Sequence, residues 1–126
     1  MSLSHNGDLS ERVIGLAIEV HRHLGPGLLE SAYEQCLSFE LNESEIGCRR
    51  QVPLPVVYKD VRLDCGYRMD IVVEGELIVE IKAVERITPV HEAQMLTYLR
   101  LSGLHVGLLM NFNSVVLRHG LRRFVL

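Results

Sequence analysis

The sequence predicts a mixed α/β (α+β) fold, a mixed central sheet flanked by helices, and three observations carry that prediction. Two amphipathic helical stretches precede any strand signal. Three strand-like segments then follow with turns so short that only an antiparallel meander fits. Last, a helix with clear start and stop signals leads into an almost unbroken apolar run, the mark of a strand buried on both faces after a crossover. The order is α, α, β, β, β, α, β, β. With 126 residues, 48% hydrophobic and 23% charged, the chain suits one domain over residues 1–126, with 1–8 as a flexible N-terminal tail.

The first helix reads from Glu11 to Leu24, with Ser10 as cap, Leu9 and Ile14 as a hydrophobic staple, and Val13, Ala17, Ile18, His21 and Leu24 on a 3.6 period. Gly25-Pro26-Gly27 ends it. The second runs from Leu28 to Glu45, its apolar side formed by Leu29, Ala32, Tyr33, Cys36, Leu37 and Leu41, with Gly47 as its stop. Val52 to Tyr58 alternates, but Pro53 and Pro55 cannot donate to a ladder, which makes this an edge strand. After a turn at Lys59-Asp60 come two long strands, Val61 to Val73 and Leu77 to Val84. Thr88 caps the next helix, with Pro89 in its first position and Gly103 just past its end. His105 to Phe112 is the doubly buried strand, and Val115 to Val125 is a last strand-like segment.

Composition narrows function. Thirteen basic against sixteen acidic residues give a net charge of −3, so any phosphate binding is local. Arg49, Arg50, Lys59, Arg62 and Arg68 around the first strands, and Arg118, His119, Arg122 and Arg123 near the end, are the candidate basic groups. Cys36, Cys48 and Cys65 have no C-x-x-C spacing, which speaks against a zinc or iron–sulfur clip and for a reducing compartment. There is no apolar run long enough to span a bilayer and no signal-peptide pattern, so the expectation is a cytoplasmic protein without a membrane partner.

The chemistry lies in the middle strands. In Leu77 to Val84 the even positions Ile78, Glu80 and Lys82 share a face. An acid and an ammonium in a strand otherwise built of Ile, Leu and Val are costly unless paired or used. Asp70 on the preceding strand joins them only in an even register. A three-residue loop, Val73-Glu74-Gly75, supplies that register and makes Asp70 and Glu80 diagonal neighbours. Two carboxylates suit Mg²⁺ or Mn²⁺, and a nearby ammonium can orient water. The same residues with Arg68 also fit a structural salt bridge. On the third helix His91, Gln94 and Tyr98 fall within about 60° of one face. His21 and His23 point roughly 160° apart, a poor metal pair.

Asp70, then Glu80-Ile81-Lys82, then Gln94-Met95-Leu96-Thr97-Tyr98 resembles the D…(D/E)xK…QxxxY series of the PD-(D/E)XK nuclease superfamily, particularly its RecB-type branch. Gly27-Leu28-Leu29-Glu30-Ser31-Ala32-Tyr33 resembles the signature of its small GxxExxY family. The resemblance spans Leu9 to Phe124 and implies a restriction-endonuclease-like αβββαβ core. It further implies that Asp70, Glu80 and the main-chain carbonyl of Ile81 bind Mg²⁺ or Mn²⁺, that Lys82 positions or activates water, and that Glu30 adds an acid to the site. Gln94, Tyr98 and, on the same face, His91 would meet the nucleic acid. Met69 replaces the family's proline. The implied activity is metal-dependent phosphodiester hydrolysis on DNA, with RNA second. The alternative is a weakly active or inactive nuclease-fold module that binds nucleic acid or protein within a larger complex. A homodimer or another protein partner has room near the Pro53 edge, but no residue pattern specifies an interface.

Overall fold

The computed structural model describes residues 2–126, with side chains from residue 8 onward. Helix α1 spans Ser2–Leu24 and starts nine residues before the expected Glu11. Ser10 therefore lies inside the helix rather than capping it, and most of the stretch read as a tail is helical backbone. Leu9, Val13, Ile14, Ala17 and Val20 are all buried on one side, so packing carries the helix back at least to Leu9. Gly25 and Gly27 take positive φ values of 67° and 102° in the turn that follows. Tyr33 pins this turn. Its hydroxyl donates to the Gly25 carbonyl at 2.6 Å and accepts from the Leu28 N–H at 3.1 Å, while its fully buried ring stacks on Phe112.

Helix α2, Glu30–Glu43, ends before the expected Gly47. Glu45 itself adopts the left-handed conformation (φ 57°), and the N–H groups of Glu45 and Ile46 return to the Asn42 and Leu41 carbonyls, a Schellman closure. Gly47 instead donates its N–H to Glu74 Oε2.

The main sheet has the order β1-β4-β5-β6-β7. Its strands are β1 (Cys48–Pro53), β4 (Arg68–Val73), β5 (Leu77–Lys82), β6 (Val106–Asn111) and β7 (Leu121–Val125). Only β5 and β6 are parallel, joined through helix α3 (Pro89–Ser102). The edge strand thus starts earlier than expected and stops at Pro53. A separate hairpin of β2 (Val56–Tyr58) and β3 (Val61–Leu63) follows, turning at Lys59 and Asp60 with φ of 48° and 67°. The expected long strand Val61–Val73 is broken by the positive-φ Gly66, and the last segment opens with a 3₁₀ turn, Leu117–Gly120, before β7.

The Val73–Leu77 turn corrects the predicted register. Val73 pairs with Leu77, so the loop is Glu74-Gly75-Glu76. Glu74 and Gly75 both have positive φ, and Glu76 donates back to Val73. The shift of two keeps the parity, and Asp70 faces Glu80 directly instead of diagonally. Two packed layers result. Ile71, Val73, Leu77, Val79 and Ile81 face α1 and α2, while Val72, Ile78 and Leu109 face Met95, Tyr98 and Leu99 of α3.

Candidate functional site

The site lies where the β4–β5 ladder gives out. Pairing is regular from Val73↔Leu77 to Ile71↔Val79. One step further, side chains replace backbone partners: the Asp70 N–H donates to Glu80 Oε2 and the Ile81 N–H donates to Asp70 Oδ2, both at 2.8 Å. Each carboxylate thus satisfies the strand of the other, and the pair is held face to face by backbone.

Burial makes this arrangement electrically unfavourable. Glu80 is 4% exposed, and loss of solvent followed by the neighbouring Asp70 charge pushes its carboxyl up to about 8. Asp70 is also raised, chiefly by burial and then by Glu34 and Glu30, against the opposing pull of the Ile81 N–H and of Lys82. Lys82 donates to Gln94 Oε1 at 3.3 Å, and Gln94 Nε2 donates to the Tyr98 hydroxyl at 3.2 Å. Tyr98 is buried, and its phenol is raised by burial and then by Glu80 and Asp70. A connected polar row therefore runs from β5 to α3 on the face that the strand alternation assigned.

Glu30, exposed at the start of α2, accepts the Ala83 N–H at 3.2 Å, one residue beyond Lys82. His91 is turned elsewhere: its Nδ1 accepts the Thr88 N–H at 3.0 Å and lies 3.3 Å from Thr88 Oγ1, which makes it part of the α3 cap. It shares the helix face but not the hydrogen-bonded row. His21 and His23 bond to Ser114 and Glu19 respectively, in keeping with their divergent directions.

Sequence reasoning passed over Glu34, Gln51 and Tyr67, and it read Arg50 as a phosphate-binding candidate where the structure pairs it with Glu34. Glu34 is buried one helical turn after Glu30, and that i, i+4 spacing was the available signal. Its carboxylate accepts Arg50 Nε and Gln51 Nε2, each at 2.9 Å. Gln51 Nε2 also lies 3.5 Å from Asp70 Oδ1. The half-exposed Tyr67 ring meets Tyr98 edge-on at 6.2 Å. Of the basic residues, Arg49 and Arg62 line an open groove of about 480 Å³ with Val52, Pro53, Pro55 and Asp64. Arg122 pairs loosely with Glu92, and Arg123 reaches Ser10.

Among the described residues no three His, Cys, Asp or Glu side chains are grouped to hold a metal ion. The oxygens that the structure brings together are those of Asp70 and Glu80. This pair's chemistry fits a hard divalent cation: the buried Glu80 carboxylate and the half-buried Asp70 carboxylate oppose each other, and without added positive charge Glu80 keeps its proton to about pH 8. Among those residues no helix is long and apolar enough to cross a membrane. A family model described as the PD-(D/E)XK nuclease superfamily matches residues 7–124. No curated protein matches the chain, and no solved structure does.

Proposed function

Since this chain belongs to the PD-(D/E)XK nuclease superfamily, we propose that it is a divalent-metal-dependent nuclease of the GxxExxY family, acting on DNA and secondarily on RNA, with residues 1–126 forming one domain. The observation that carries the proposal is the reciprocal Asp70–Glu80 pair with Lys82 on the same sheet face. Superfamily members are usually nucleases and generally use divalent metals. The GxxExxY assignment rests on Gly27, Glu30 and Tyr33 at their spacing.

Asp70, Glu80 and the Ile81 carbonyl would hold Mg²⁺ or Mn²⁺, which when bound supplies positive charge to the attacking water and the phosphate oxygens. Lys82 orients the water. Its ammonium is aimed by Gln94, which is in turn braced by Tyr98, so it enters the reaction already positioned. The water oxygen forms the new bond to phosphorus and gives up a proton to solvent as the ester P–O bond breaks, and the departing oxygen takes up a proton from solvent. Glu30 holds the Ala83 N–H and so steadies the backbone after Lys82. Gln94 and Tyr98 form the wall that meets the nucleic acid. His91 is read here as a helix cap.

The net charge of −3, with Arg50 and Arg122 engaged by acids, favours a second reading: a weak binder that needs a protein partner. The test is cleavage of labelled single-stranded, duplex and branched DNA and of RNA, with Mg²⁺ or Mn²⁺ against chelator, comparing wild type with Glu80→Ala and Lys82→Ala. Metal-dependent cutting lost in both variants supports the nuclease. A folded wild type that binds metal but cuts nothing supports the partner-dependent reading.

A further inference from the structure

Gln51 stands opposite Asp70 in the β1–β4 register, between the pairs Arg50↔Ile71 and Val52↔Met69. Its φ is nevertheless 51°, in the left-handed region that glycine favours. A glutamine held there is strained, and such strain persists where surrounding contacts over-determine it, commonly at functional sites.

Here those contacts are visible. The Gln51 amide nitrogen carries two hydrogens, one for Glu34 Oε1 at 2.9 Å and one directed toward Asp70 Oδ1 at 3.5 Å. Glu34, 6% exposed, is fixed from its other oxygen by Arg50. Asp70 Oδ2 is already engaged by the Ile81 N–H. Gln51 therefore supplies the second restraint on a carboxylate that backbone alone would leave free to pivot about its last torsion.

The geometry points to Gln51 as a positioning residue that sets the angle of the Asp70 carboxylate for a divalent cation, with the buried Glu34 holding Gln51 and Arg50 holding Glu34. This rests on the metal-dependent reading above. Outer partners of metal ligands typically alter affinity by about 10–100-fold, and the strained backbone at Gln51 is the local sacrifice that brings its amide to Asp70.

The experiment is Mn²⁺ binding by titration calorimetry, with thermal unfolding of the metal-free protein, on wild type, Gln51→Gly and Gln51→Ala. Both variants lose the Glu34 bond, but glycine suits a φ of 51°, so Gln51→Gly should unfold at a higher temperature than Gln51→Ala, yet bind Mn²⁺ about 10-fold more weakly than wild type. Gln51→Ala retains the backbone strain and should show the same loss of affinity. Unchanged affinity in Gln51→Gly alongside a wild type that binds Mn²⁺ overturns this inference and leaves the proposed function standing. A loss confined to whichever variant is less stable also overturns it. A wild type that binds no Mn²⁺ removes the proposed function and this inference together.

Discussion

Replacing Glu80 by Gln should make the metal-free protein more stable, and by an amount that grows with pH. Gln has the shape of the protonated acid and retains an oxygen to accept the Asp70 N–H, but it cannot ionise. In the folded wild type Glu80 holds its proton to about pH 8 against an ordinary 4.5. Between these values the folded state binds more protons than the unfolded chain, so raising the pH draws stability from the fold at ~1.4 kcal/mol per pH unit. The contribution is fully present below pH 4.5 and gone above about pH 8. Because the side chain is almost wholly buried, solvent screening relieves little of this cost. The advantage of Glu80→Gln over wild type should thus widen by roughly 4 kcal/mol from pH 5 to pH 8. Urea unfolding of both proteins in chelator at pH 5, 6, 7 and 8 measures it. A stability difference that stays flat across that range would refute the argument that burial and Asp70 hold Glu80 in its protonated form.

Other outcomes follow from particular contacts. On the proposed mechanism, in which the Lys82 ammonium orients water and ligates no metal, Lys82→Ala should lower the cleavage rate by about 100-fold or more with little loss of Mn²⁺ affinity; single-turnover kinetics beside calorimetry separate the two. His91→Ala should cost ~1 kcal/mol in thermal or urea unfolding while leaving nucleic-acid affinity unchanged, since the ring bonds to Thr88. Tyr33→Phe removes the hydroxyl that joins Gly25 and Leu28 and should destabilise by about 1–3 kcal/mol in urea, with faster hydrogen exchange at Leu28. Gly107→Ala sets a methyl group against the Met95 side chain under α3. Met95 is flexible but 1% exposed, so a loss of about 1–3 kcal/mol by thermal unfolding is expected.

Much of this molecule was legible before its fold was. The Thr88-Pro89 start and Gly103 stop of α3 are local chemistry, and the structure reproduces both limits because capping depends on neighbours in sequence. Strand alternation put Glu80 and Lys82 on one face, and the uninterrupted apolar run from Val106 announced a strand covered on both sides. The motif residues Asp70, Glu80, Lys82, Gln94 and Tyr98 could likewise be singled out, since their types and spacing are written along the chain. The start of α1 and the breaks around Pro53 and Gly66 were less accessible, because distant packing decides how far a helix or strand continues.

Only the tertiary structure decided what surrounds those residues. Parity placed Asp70 and Glu80 on a common face, but the displacement of the three-residue turn by one position, to Glu74-Gly75-Glu76, set them opposite each other. The exchange of backbone bonds between them, and the lift of Glu80 to about 8, arise from burial that no single segment carries. Gln51 is the extreme case. Its positive φ, its place across from Asp70 and its hold on Glu34 join three elements that are separate in the chain. A sequence determines residue types and local periods. The electrostatics of a site depend on which of those residues lose their water together, and that follows from packing alone.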